Sequence, residues 1–206
     1  TDTSSVKAVA LTFDDGPSSF TNRLLDCLEE NNAKATFFMV GTEIASFPDE
    51  VKRMKELGCE LGNHTYDHTD LTTLSADDIS SEISKVDEQL VNLTGQGASV
   101  VRPPYGSVND AVKATVGTPM ILWSIDTLDW KTQDVESTVE EVMNNVTDGS
   151  IILMHDIYST SVDAAEILIP QLIEDGYQFV TVHELAALHQ TELTTGTTYG
   201  EFQSQE

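Results

Sequence analysis

Short apolar runs alternate along this chain with longer windows in which apolar residues recur every three or four positions. Runs of the first kind lie at residues 6–13, 35–40, 59–63, 99–101, 120–125, 150–154 and 177–180. Their length and near-continuous apolarity predict buried strands. The second kind predicts helices. One spans residues 18–31, with Leu24, Leu25 and Leu28 at helical spacing, and one spans 48–57, with Pro48 near its start and Gly58 just past its end. A third runs from a cap at Ser75 and Asp78 to about residue 93, with Ile79, Ile83, Val86 and Leu90 as its inward stripe. Shorter helices follow at residues 109–116, 135–146, 163–175 and 182–188. Strand–helix alternation of this kind implies a mostly parallel sheet with helices outside it. With about seven strands in 206 residues, the chain falls short of the ~250 residues typical of an eight-strand barrel. A smaller, irregular (β/α) barrel is expected over residues 1–190. Residues 191–206, rich in Thr, Gly, Gln and Glu without apolar period, are expected to form a flexible polar tail or linker.

Composition narrows the partners. The formal charge is −25, from 35 acidic and 10 basic side chains. A field of that sign repels phosphate backbones and excludes nucleic-acid binding as a class. It also disfavours anionic membranes and suits a soluble surface, which is its plainest meaning. No stretch approaches the ~18 apolar residues of a membrane span. The first five residues lack the basic and apolar regions of a signal peptide and read as a polar lead-in. Cys27 and Cys59 belong to no metal-knuckle or CxxC spacing, so free buried thiols are expected and no compartment follows.

The chemistry sits where the strands end. Asp14 and Asp15 close the first apolar run. His64 and His68 follow the third, Arg102 the fourth, Asp126 the fifth and His155 the sixth. Strand ends of a parallel α/β fold converge on one face, where active sites form. Taken singly, each cluster has a bland explanation: an acidic helix cap, a core histidine, a surface arginine. Taken together, they call for one site. Asp15, His64 and His68 make a three-ligand set for a divalent metal, leaving room for water or substrate. Such a set suits zinc, cobalt or manganese and does not choose among them. Adjacent residues of an extended strand point to opposite sides, so one aspartate can bind the metal while the other faces the substrate. Arg102 can grip Asp14. The loop 103–106 (Pro-Pro-Tyr-Gly) is stiff, and the Tyr105 N–H could meet an oxyanion. Asp126 is expected to hold the His155 imidazole in one tautomer and raise its pKa, as a general acid needs. Trp130 and Leu153 could wall a pocket for a methyl group. Asp67 is expected to face solvent, and His183 and His189 receive no role.

These residues together resemble the polysaccharide deacetylase family, carbohydrate esterase family four, which shares the nodulation-protein-B homology domain. The likeness rests on Thr12-Phe13-Asp14-Asp15, His64-Thr65-Tyr66-Asp67-His68, Arg102-Pro103-Pro104-Tyr105, Asp126-Thr127-Leu128-Asp129-Trp130 and Leu153-Met154-His155. All five stand in the family's order and span roughly residues 6–188. The resemblance implies an irregular (β/α) barrel and metal-dependent removal of acetyl groups from a carbohydrate polymer. It implies Asp14 as general base, Asp15, His64 and His68 as metal ligands, and zinc as first choice of ion. It further implies His155 as general acid tuned by Asp126, Arg102 holding Asp14, the Tyr105 N–H on the oxyanion, and Trp130 and Leu153 around the acetyl methyl.

An amine leaves only when protonated, whereas a sugar alkoxide leaves more readily. A complete acid pair therefore favours N-acetylglucosamine polymers, peptidoglycan or chitin-type oligomers, over acetylated xylan, the alternative. The expected partner is an acetylated polysaccharide or oligosaccharide met by a monomer outside the cell, a location that follows from the substrate alone. A carbohydrate-binding domain that has lost catalysis would not need a general base. A metal phosphohydrolase would usually carry more cationic groups than Arg102.

Overall fold

The computed structural model describes residues 6–203; the polar lead-in and the last three tail residues lie outside this range. Its central strand is β1 (Lys7–Asp14), buried at every position but the first. The alternation of a strand explains how both faces are used. Val9, Leu11 and Phe13 face outward and share one apolar cluster with Leu24, Leu25 and Leu28 of α1 (Thr21–Glu30) and Leu168, Ile169 and Leu172 of α8 (Ser159–Glu174). Ala8 and Ala10 face inward. They share a second cluster with Phe38 of β2 (Thr36–Met39), Ile151 of β7 (Ile151–His155) and Val182, Leu185 and Ala186 of α9 (Val182–Leu188). Thr12 and Asp14 continue this inward face.

The remaining strands are β3 (Glu60–Asn63), β4 (Val100–Val101), β5 (Met120–Ile121), β6 (Ile125–Asp126), β8 (Tyr177–Phe179) and β9 (Thr198–Tyr199). All strand pairs are parallel, in the order β6-β7-β1-β2-β3-β4-β5-β9, while β8 pairs with the first half of β1. The helices between them include α2 (Gly41–Ile44), α3 (Pro48–Glu56), α4 (Ala76–Thr94), α5 (Asp110–Thr115), α6 (Asp129–Thr132) and α7 (Val135–Asn145). This is the expected irregular barrel. The strand ends β1, β2, β3, β4, β6 and β7 converge on one face.

Three expectations are revised. The run 120–125 is two short strands: β5 pairs with β4, whereas β6 pairs with β7. The described residues hold nine strands rather than seven. The tail carries a short strand and one buried side chain. β9 extends the sheet beside β5, and Phe202 is buried with the inner cluster. Beyond β9, Glu201 bridges Ser150 and the Phe202 N–H donates to the Gly149 carbonyl at 3.0 Å. The segment therefore crosses the seam between the two ends of the sheet. Apolar periodicity could not reveal a strand of two residues or an anchor of one. Cys27 and Cys59 are free and buried, and burial pushes both thiols up to about 11.

Candidate active site

Asp14 reaches the barrel interior as the last inward residue of β1. There it meets Arg102, which is fully buried just beyond β4. The guanidinium donates to Asp14 Oδ1 at 2.8 Å, Thr12 Oγ1 at 2.7 Å, the Ile121 carbonyl at 3.1 Å and the Leu122 carbonyl at 2.7 Å. Its flat face lies over the Phe38 ring, 4.2 Å from the centroid. A buried arginine is tolerable when its donors are spent in this way.

Asp15 departs from strand geometry, with φ at +75°. The alternation expected of adjacent residues is lost, and both carboxylates turn to the same cleft. Asp15 Oδ1 lies 3.3 Å from His64 Nε2 and 3.3 Å from His68 Nε2. Asp14 Oδ2 lies 3.6 Å from His64 Nε2. The three ligand atoms of Asp15, His64 and His68 fall within 4.8 Å of one another.

This set fits a metal cation for a reason internal to the site. His64 Nδ1 lies 2.6 Å from the Arg102 carbonyl, which can only accept, so Nδ1 carries the hydrogen. In the neutral ring Nε2 then presents a lone pair to Asp15 Oδ1. That oxygen is buried and accepts no hydrogen bond among the described residues. Facing acceptors at such a site are matched by a cation between them. Without one, the burden falls on protons. Burial alone would depress the His64 pKa, but Asp14 and Asp15 overcome it and raise it. His68 is lowered by burial and by its neighbour His64. Burial would raise Asp15, yet the approach of His64 and the charges of the three imidazoles lower it.

His155 ends β7, with Nε2 toward the cleft, 3.9 Å from Asp15 Oδ2. Its other nitrogen corrects an expectation. Nδ1 lies 2.8 Å from Asp129 Oδ1, and the His155 backbone N–H donates to Asp129 Oδ2 at 2.7 Å. Asp126 instead accepts from the Leu128 N–H at 3.0 Å. The cause is a left-handed Leu128, φ +57°, which reverses the chain and turns Asp129 inward at the start of α6. The Trp130 N–H and Ser161 Oγ complete the Asp129 carboxylate at 2.9 and 2.6 Å. Burial would lower the His155 pKa, but the Asp129 bond and charge prevail, with Asp14 and Asp15, and lift it to about 9.

The cleft is about 400 Å³ and is lined by Asp14, Asp15, His64, His68, Tyr105, Asp126, Trp130, Leu153 and His155. Every candidate but Arg102, which lies behind Asp14, thus meets in one place. Tyr105 adopts φ +63° in a stiff turn after Pro103, with its ring edge-on to His68. Trp123 and Tyr158 also line the cleft and were not anticipated. Nor were Asp129 and Ser161. The adjacent pair Asp129-Trp130 was the available signal for the first, and Ser161 has none.

Comparison with known proteins is consistent with this geometry. The polysaccharide deacetylase profile matches residues 1–118. Over 180 residues the chain is 42% identical to peptidoglycan-N-acetylglucosamine deacetylase PgdA of Listeria monocytogenes, an alignment spanning 87% of this chain and 39% of that protein. The chain thus spans about two fifths of the length of the first such relatives. A structure of T48 deacetylase with substrate superposes with a TM-score of 0.91 at 42% identity, covering 97% of this chain and 99% of that one. A family 4 acetyl xylan esterase from Clostridium thermocellum, in complex with a cobalt ion, superposes with a TM-score of 0.90 at 32% identity, covering 95% and 98%.

Proposed function

The chain belongs to the polysaccharide deacetylase family, and from that membership we propose that it hydrolyses N-acetyl groups of N-acetylglucosamine-containing polysaccharide, peptidoglycan first and chitin-type oligomers next. The observation that carries this reading is the meeting of a metal-ligand set, a buried Asp14–Arg102 pair and a His155–Asp129 pair around one cleft.

Asp15, His64 and His68 would hold a divalent ion, zinc in the first place and cobalt or manganese otherwise, which when bound would supply Lewis acidity toward the acetyl carbonyl and the water. Asp14 takes the proton of the attacking water, and Arg102 holds that carboxylate in place. The Tyr105 N–H faces the oxyanion as it develops. His155 delivers a proton from Nε2 to the leaving nitrogen, while Asp129 fixes the hydrogen on Nδ1 and so selects the reactive tautomer. Leu153 and Trp130 enclose the methyl group, and the half-exposed indole offers a face for a sugar ring.

Peptidoglycan is placed first because PgdA, so named, is 42% identical. Protonation by His155 serves an amine leaving group most. Acetylxylan is the second reading, favoured by the likeness to an acetyl xylan esterase. A polymer of this kind supports a location at the cell surface or outside it. The test is acetate release from peptidoglycan, chitopentaose and acetylxylan by metal-stripped protein resupplied with zinc, cobalt or manganese. Faster release from the two N-acetyl substrates is expected. Release from acetylxylan alone would replace the first reading by the second.

A further inference from the structure

The loop from His64 to His68 carries two of the three metal ligands, and its backbone is strained. Thr65, a β-branched residue, sits at φ +71°, and His68 at φ +62°. Left-handed conformations at such residues persist only where the surroundings impose them. The hydrogen bonds of the loop show what imposes them. The His64 N–H donates to the Met39 carbonyl at 2.9 Å, and the Thr65 N–H to Asn63 Oδ1 at 2.9 Å. The Thr65 and Tyr66 carbonyls accept from the Gly41 and Thr42 N–H groups at 3.0 and 2.9 Å. Of the three remaining amides, those of Tyr66 and Asp67 both point at one oxygen: Oε2 of Glu82, at 3.0 and 3.4 Å.

Glu82 stands on α4, outside the loop. That helix is well suited to serve as a fixed base. Ser75 caps it, Ile79, Ile83, Val86 and Leu90 bury one face, and Asn63 Nδ2 donates to the Ile83 carbonyl at 2.9 Å. We propose that Glu82 is a positioning residue for the metal site, clamping the Tyr66 and Asp67 amides so that His68 is presented beside His64 and Asp15. The inference rests on the reading of Asp15, His64 and His68 as metal ligands. His64 has its own anchor in the Arg102 carbonyl. His68 has no ring partner of that kind among the described residues: its imidazole meets His64, Tyr105 and Asp15, and its side chain is 31% exposed. The clamp therefore acts mainly on His68. Loss of outer partners of metal ligands typically weakens metal binding by about 10–100-fold.

The test is titration of metal-free protein with Co²⁺, followed by calorimetry and by the visible absorption of the bound ion. Glu82→Ala and Glu82→Met both remove the acceptor and both residues suit a helix. Each is expected to bind Co²⁺ about 10–100-fold more weakly and to shift the cobalt band, with little change in the melting of the metal-free protein. Glu82→Gln keeps one oxygen for the two amides and is expected to bind within about threefold of the parent, a change of under ~1 kcal/mol. Parent-like Co²⁺ affinity in a folded Glu82→Ala or Glu82→Met variant would overturn the clamp, as would a Glu82→Gln variant as weak as either. His64→Ala in the same titration separates the two ideas. If it binds Co²⁺ like the parent, the metal assignment itself fails, whatever the Glu82 variants do.

Discussion

Replacing Asp129 by asparagine tests the site where structure and sequence pattern disagree. Asp129 is buried, and both its oxygens are occupied by donors: Oδ1 by His155 Nδ1 and the Trp130 N–H, Oδ2 by the His155 N–H and Ser161 Oγ. An asparagine NH₂ group cannot accept. In either orientation it confronts one of the two backbone N–H groups, and a buried donor left unmatched costs about 1–3 kcal/mol of stability. The catalytic loss is larger. Asp129→Asn removes the charge that stabilises protonated His155 and, where its NH₂ group takes the Oδ1 position, the acceptor that fixes the tautomer as well. General acid catalysis is worth ~10²–10⁴ in rate, so kcat on an N-acetyl oligosaccharide should fall by about that factor, or ~2.7–5.5 kcal/mol. Asp126→Asn is the matched control. Its amide oxygen can still accept from the Leu128 N–H, and kcat should stay within about threefold, under ~1 kcal/mol. Initial rates of acetate release over a range of substrate concentrations separate kcat from KM. An Asp126→Asn enzyme as impaired as Asp129→Asn, or an Asp129→Asn enzyme near parental rate, would refute the assignment of Asp129 to His155.

Further tests address the metal, the proton and the seam. Asp14→Asn should keep Co²⁺ binding while losing turnover, and His64→Ala should lose both; calorimetry with an acetate assay reads the two. In metal-free protein His155 should titrate near 9 by NMR, above its ~6.5 in an unfolded chain. Because the folded state binds that proton more tightly, its contribution to stability is complete below pH ~6.5 and is lost as pH rises through about 9. The stability gap between parent and Asp129→Asn in urea should therefore narrow over that window. Phe202→Ala should destabilise by about 3 kcal/mol in the same assay. Gly149→Ala should act on the same contact, since a Cβ there would lie 1.5 Å from the Phe202 carbonyl oxygen; enhanced proteolysis after residue 190 would show the tail released.

The barrel and most of its site were legible because polar residues interrupt apolar runs at strand exits, and parallel topology gathers those exits. What escaped notice did so for local reasons. The run 120–125 is apolar except at Ser124, yet Arg102 takes the carbonyls of Ile121 and Leu122, so the ladder breaks ahead of its one polar position. Asp126 and Asp129 lie three residues apart, and extended geometry at the strand end favours the first. A single left-handed Leu128 transfers the role to the second. An irregular backbone does not by itself hide a role, since Asp15 and His68 are left-handed too and line the cleft as their motifs imply; at Leu128 the reversal falls between two candidate aspartates and exchanges them. The same reasoning explains why Glu82 carries no sequence signal. Its grip is on backbone amides, which every residue has, and it belongs to a helix whose own pattern records only the buried stripe. A metal site built on left-handed residues must be held by such contacts, so the groups that hold it should be sought among polar side chains aimed at the loop amides rather than within the ligand motif.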